Sequence, residues 1–168
     1  MDPLDFFIME EFIFPEEASD LLSNVTREVM AEFLVAKAVG LADESIRKKW
    51  DPFDLVTPEG IKVEVKSSAY LQTWTQQELS KIRFQVPKTL AWDYATNKWG
   101  TEKARHADVY VFALLAHEMD LDHWEFFVIP TTTLNVLDRK SLRIQDLRDH
   151  AEPLPFGQIR EAVLLSQD

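Results

Sequence analysis

Over residues 61–68 apolar and polar side chains alternate without a break. Ile61, Val63 and Val65 are apolar, and Lys62, Glu64, Lys66 and Ser68 are polar. A period of two predicts a strand with one face in the core. Just upstream, Phe53 and Leu55 flank Asp54 in the same pattern, and Thr57-Pro58-Glu59-Gly60 between the runs is a turn signal. A three-residue loop over 58–60, with Gly60 left-handed, is a common hairpin closure. It pairs Thr57 with Ile61, Leu55 with Val63, Asp54 with Glu64 and Phe53 with Val65. A two-residue loop would move Asp54 to the opposite face from Glu64 and set Phe53 and Leu55 across from polar residues. The three-residue register keeps the apolar side chains together and is preferred.

Other segments read less sharply. Residues 23–39 repeat Val25, Val29, Phe33 and Ala36 at helical spacing, with Ser23 or Asn24 to cap the start and Gly40 to end it. Residues 75–82 read as a short helix and 83–86 as a short strand. Residues 87–106, with Trp92, Tyr94, Trp99 and Gly100, have no clear period and read as loop or irregular helix. The nearly continuous apolar run 108–116 predicts a central strand buried on both faces. A further strand covers 124–130, and the acidic stretch 117–123 forms the loop between them. Residues 131–137 read as helix or turn, and 142–147 and 157–165 close the chain, the latter as a helix.

The 168 residues suit one domain with an adequate core, of which 1–22 form an acidic N-terminal segment. There is no cysteine, which removes disulfides and thiolate metal sites and permits a reducing, cytoplasmic setting. The apolar run 109–116 is far shorter than the roughly 20 residues that span a bilayer, and the N-terminus carries acids where a signal peptide needs bases. The expectation is no membrane partner.

Asp54 opposite Glu64 has a cost. Cβ atoms of directly opposed residues lie roughly 4.5–5.5 Å apart, and like charges there repel. A hard cation such as Mg²⁺ or Mn²⁺ relieves this best, and Lys66 on the same face also offsets the charge. For Glu64-Val65-Lys66 alone, an ordinary wet sheet face is the better account. Asp54 in register is what favours a metal. Gln72, ending the series Ser68, Tyr70, Gln72, is a candidate for orienting a water or a phosphate.

Asp54 followed by Glu64-Val65-Lys66 resembles the motif of the PD-(D/E)XK nucleases, the restriction-endonuclease-like superfamily. The motif's Pro-Asp is here Pro52-Phe53-Asp54, with Phe53 interposed. The resemblance implies an α/β fold, a mixed sheet flanked by helices in the order αβββαβ. It also implies Mg²⁺ (or Mn²⁺) held by Asp54, Glu64, the Val65 carbonyl and a helical glutamate, for which Glu28 fits best and Glu32 is the fallback. Lys66 would position or deprotonate the attacking water, or stabilise charge developing on phosphate. The implied activity is endonucleolytic hydrolysis of nucleic acid, most naturally DNA, with a homodimer suited to cutting two strands.

The net charge of −11 sits against a nucleic-acid partner, although bound metal supplies local positive charge. The balance is uneven. Residues 1–32 carry nine acids against Arg27, whereas 78–106 carry six bases against three acids. That basic segment, with Trp92 and Trp99, can contact phosphates and bases; two core tryptophans under a solvated surface are the plainer account. A non-catalytic interaction module of the same fold is the alternative function, with the acidic segment as its contact surface. His117-Glu118 lacks the second histidine of a zincin helix, and His117, Asp120, Asp122 and His123 read as an acidic loop. No phosphate-binding glycine loop and no G-x-S-x-G elbow occurs.

Overall fold

The computed structural model describes residues 24–41, 51–72, 76–116 and 123–167. The acidic segment 1–22, the capping position Ser23, Thr75 and the loop residues 117–122 lie outside them. The chain runs α1 (Asn24–Ala38), β1 (Leu55–Val56), β2 (Lys62–Ala69), β3 (Arg83–Gln85), β4 (Trp92–Asp93), β5 (Lys98–Trp99), β6 (Val109–Leu115) and β7 (Trp124–Pro130). It continues with α2 (Thr131–Leu137), β8 (Ser141–Arg143), α3 (Ile144–Arg148), a 3₁₀ turn (Phe156–Gln158) and α4 (Ile159–Leu165).

The main sheet has the order β1-β2-β6-β7 and is mixed: β1 and β7 are antiparallel to their neighbours, while β2 and β6 are parallel. Every residue of β6 is buried, as its unbroken apolar run requires. Its side chains alternate between two cores. Val109, Val111, Ala113 and Leu115 join Val63, Val65, Phe126 and Val128 under α1 and α4. Tyr110, Phe112 and Leu114 join Phe127 and Ile129 on the other face, which is covered by β3, β8, α2 and α3 through Phe84, Leu142, Leu134 and Leu147. The result is a sheet flanked by helices on both faces, as the α/β expectation had it.

The hairpin register is the expected one where the strands pair: Leu55 opposes Val63 and Val56 opposes Lys62. Thr57 N–H donates to the Ile61 carbonyl at 2.9 Å, and Gly60 N–H donates to the Thr57 carbonyl at 2.9 Å. Gly60 sits at φ +90 with nothing near a would-be Cβ, so the turn needs glycine for its backbone angle alone. Gly40 ends α1 as expected. At φ +82 it lets Leu41 N–H reach back to the Ala36 carbonyl at 2.9 Å.

Four expectations need correction. The stripe assigned to α1 is rotated: Val25 and Val29 face solvent, while Met30, Ala31, Leu34 and Val35 are buried with Phe33 and Ala36. Valines at i and i+4 were a poor guide because the helix lies flat on β2 and buries a wider face than one stripe. Residues 76–82 form no helix; Gln76 instead ties the segment down through its side chain, accepting from Gln72 N–H at 2.8 Å and donating to Ser80 Oγ at 2.9 Å. Phe53 does not pair with Val65 and does not join Leu55. It packs in the second core, beneath the Lys62 ammonium at 5.6 Å. Finally, residues 87–106 are no irregular loop. Thr89 bridges Ala104 and β4 pairs with β5, which together make a β-arm.

Candidate active site

The break in the ladder that displaces Phe53 builds the site. β1 stops at Leu55. One residue earlier the chain turns, so that Asp54 N–H donates to the Val63 carbonyl at 3.0 Å while Asp54 Oδ2 accepts the Val65 N–H at 2.8 Å. A carboxylate thus takes the place of the next ladder bond, and Asp54 is buried at 7 % exposure. A residue's N–H and C=O point to the same side of a strand, so the Val65 carbonyl also faces the edge that Asp54 occupies. Glu64 and Lys66 alternate with Val65 and project to the face shared with Tyr110 and Phe112, their partners in the parallel register. The expected direct Asp54–Glu64 pairing therefore becomes a looser convergence across the end of β1. The charges of both acids act on Lys66 and on Tyr110.

Lys66 Nζ contacts Glu64 Oε1 at 2.5 Å. Burial alone would lower its pKa, but Glu64, with help from Asp54 and Glu28, more than offsets that and holds the ammonium above its ordinary value. Lys66 is a cation at neutral pH, suited to donating to anionic oxygen rather than to taking a proton from water. The Tyr110 hydroxyl is held in its neutral form by burial and then by the Glu64 charge.

Glu64, Lys66 and Tyr110 open into a cleft of ≈ 580 Å³ that is lined also by Arg27, Glu28 and Gln72, whereas buried Asp54 is not among its lining residues. α1 brings Glu28 to the rim, exposed. Glu32, the fallback, is buried at 6 % exposure and does not line the cleft. Gln72 lines the cleft beyond the end of β2, with its Nε2 donating to the Ala69 carbonyl at 2.9 Å. Arg27 is buried, and burial draws its pKa below the ordinary value, partly countered by Glu28.

The opposite wall is formed by Arg83, Phe84, Gln85, Thr89 and His106, of which the sequence had offered only Arg83, as one base of the segment 78–106. His106 Nε2 and the Thr89 carbonyl are 2.8 Å apart, which joins the two strands of the arm at the wall. Of the basic segment, Arg83 reaches the cleft. Arg105 is instead buried, donating to the Val86 carbonyl at 3.1 Å, Asn135 Oδ1 at 2.8 Å and the Arg139 carbonyl at 2.7 Å. Tyr110 offered a signal in hindsight, as the one hydroxyl within the apolar run of β6, but only the Glu64–Tyr110 register gives it meaning.

Asp54, Glu64 and the Val65 carbonyl are hard oxygen donors at one edge, a set that fits Mg²⁺ or Mn²⁺. Among the described residues no three His, Cys, Asp or Glu side chains cluster as a ready-made cage. An ion held by that set would have to be completed by waters and substrate phosphate, the usual habit of Mg²⁺.

Residues 9–147 match the family model for bacteriophage T4 endonuclease IV, a span that includes every residue lining the cleft. No curated protein matches the chain. With most of its length covered, the chain belongs to the bacteriophage T4 endonuclease IV family.

Proposed function

We propose that this member of an endonuclease family is a metal-dependent nuclease of PD-(D/E)XK type that hydrolyses phosphodiester bonds of nucleic acid, DNA first among the candidates. The observation that carries the reading is the convergence of Asp54, Glu64 and Lys66 at one strand edge, with Asp54 held there by the Val65 N–H. The family's name supports nuclease activity in general.

In this reading Asp54, Glu64 and the Val65 carbonyl hold Mg²⁺, and Glu28 on the rim adds a ligand directly or through water. The ion would polarise the phosphate and acidify a bound water. Lys66, already cationic, donates to the phosphate oxygen on which charge grows during attack. Arg83 and Gln72 steady the backbone phosphates at the two walls. Hydrolysis adds water across one P–O bond and leaves a phosphomonoester and a hydroxyl. A symmetric pair of chains would present two such clefts to a duplex.

The test is incubation with single-stranded, nicked and duplex DNA and with RNA, in Mg²⁺, Mn²⁺ or EDTA. Cleavage in Mg²⁺ or Mn²⁺ that EDTA abolishes, and that is lost in Asp54→Ala and Lys66→Ala, is expected. No cleavage of any substrate, or cleavage unaffected by either substitution, sinks the proposal.

A further inference from the structure

The β-arm over 88–104 carries a surface that the chemistry above does not use. Its tip is held in one shape. Asp93 accepts from Ala95 N–H at 2.9 Å and from Thr96 Oγ1 at 2.8 Å, and Asn97 closes the turn at φ 52. Trp92 and Trp99 face each other across β4 and β5 with ring centroids 5.3 Å apart at 77°. Yet Trp99 is 53 % exposed and Trp92 only partly buried, so these are not the two core tryptophans of the plainer account, and Tyr94 beside them is 57 % exposed. The Trp92–Trp99 pair braces the arm, but it leaves much of the Trp99 and Tyr94 surface in water, where a ligand can bury their apolar area.

Two anchors place the arm beside the cleft. At its base Thr89 and His106 are cleft wall. At its tip the Tyr94 side chain is hydrogen-bonded to Asp51, next to Pro52 on the cleft rim and three residues before Asp54. Lys98 lies on β5 beside Trp99, and Lys103 lies further down the same arm, both exposed.

We propose that the arm is a base-binding subsite: Trp99 and Tyr94 stack on a nucleobase next to the scissile phosphate, and Lys98 neutralises the phosphate attached to it. This rests on the nuclease reading and adds the residues that grip the substrate outside the reacting centre. Aromatic faces accept any unstacked base, whether from a single strand or turned out of a duplex, and the lysines add positive charge beside them.

The experiment measures binding of a fluorescein-labelled mixed-sequence 20-mer oligonucleotide in Ca²⁺, with a matched oligomer of abasic sugar-phosphate units as the control. Trp99→Ala and Tyr94→Ala are expected each to weaken the normal oligomer about tenfold, within the range for one lost base stack, and to leave the abasic control within about twofold. Tryptophan emission of the wild type should be quenched by the normal oligomer, and Trp99→Phe should lose most of that quench while keeping most of the affinity. Should Trp99→Ala fail to fold, the quench comparison with Trp99→Phe decides alone. Unchanged affinity in both alanine variants, equal weakening on the abasic control, or a quench that survives Trp99→Phe would each overturn the subsite. If the wild type cuts nucleic acid in Mg²⁺ while these tests fail, only the subsite falls. If it neither binds nor cuts, the nuclease reading falls with it.

Discussion

Asp54 accepts the backbone N–H of Val65 at 2.8 Å, so the first acid of the site is locked to the middle of the strand that carries the second. One bond satisfies a buried donor at the sheet edge and fixes a carboxylate at the start of β1. On the proposed reading stability and chemistry are coupled at this residue, and substitutions can separate them.

Asp54→Asn keeps an oxygen for the Val65 N–H but removes the charge. Unfolding in urea should stay close to wild type, while cleavage and the calorimetric signal of Mn²⁺ binding disappear. Asp54→Ala should in addition destabilise by about 1–3 kcal/mol, the cost of a buried donor left unsatisfied. Asparagine cutting as fast as aspartate would remove Asp54 from the site.

The Lys66 ammonium is favoured by folding, because Glu64, Asp54 and Glu28 outweigh its desolvation. Its contribution to stability is then full below the ordinary value of 10.5 and is lost only as pH rises through the higher folded value. NMR titration of the Lys66 side chain in metal-free protein should show a midpoint above 10.5; a midpoint below it contradicts the ion pair. Lys66→Ala should slow cleavage on the order of 10²–10³-fold, as for other deleted transition-state donors.

Arg83 and Arg105 lie near opposite ends of the basic segment and differ in placement: Arg83 lines the cleft, whereas Arg105 is buried. Arg83→Ala should weaken nucleic-acid binding and make its salt dependence shallower by about 0.9 in log–log slope on duplex, the share of one phosphate contact. Arg105→Met should leave that slope unchanged and lower the melting temperature, since Arg105 clasps Val86, Asn135 and Arg139. The reverse pattern would mean that the cleft wall is wrongly assigned.

Asp146 organises the far end of the molecule. Its carboxylate accepts from Arg143 N–H at 2.8 Å and from the guanidinium groups of Arg143 and Arg139, which hold its pKa well below the usual range. Asp146→Asn should cost about 1–3 kcal/mol at pH 7, with the smaller figure favoured because both arginines are half exposed. A depressed pKa stabilises only above the unfolded value, so the gap between variant and wild type should narrow as pH falls below 3.8. A gap independent of pH would show that the charge is immaterial.

How much of this was legible in the chain follows from the range of the interactions. The turn at Gly60, the register of Leu55 with Val63, the buried strand β6 and the glycine stop of α1 were legible, because a period-two pattern, a positive φ and an unbroken apolar run are local demands. Asp54, Glu64 and Lys66 could be grouped for the same reason. The face of α1 could not be read, because Val25 and Val29 look core-like until the helix is laid on β2. Nor could the fate of Phe53, since whether a ladder continues past Leu55 depends on what competes for the Val65 N–H.

The sequence by itself thus determined the hairpin and the carboxylate–lysine set on it, through contacts between residues at most about a dozen apart. Tertiary structure alone decided the rest: the parallel pairing that brings Tyr110 beside Glu64, the packing that lines a second wall with Arg83 and His106, and the arm that returns Tyr94 to Asp51. Each of these joins segments whose patterns are compatible with many partners, and the choice among them is made by filling two cores at once on either side of β6.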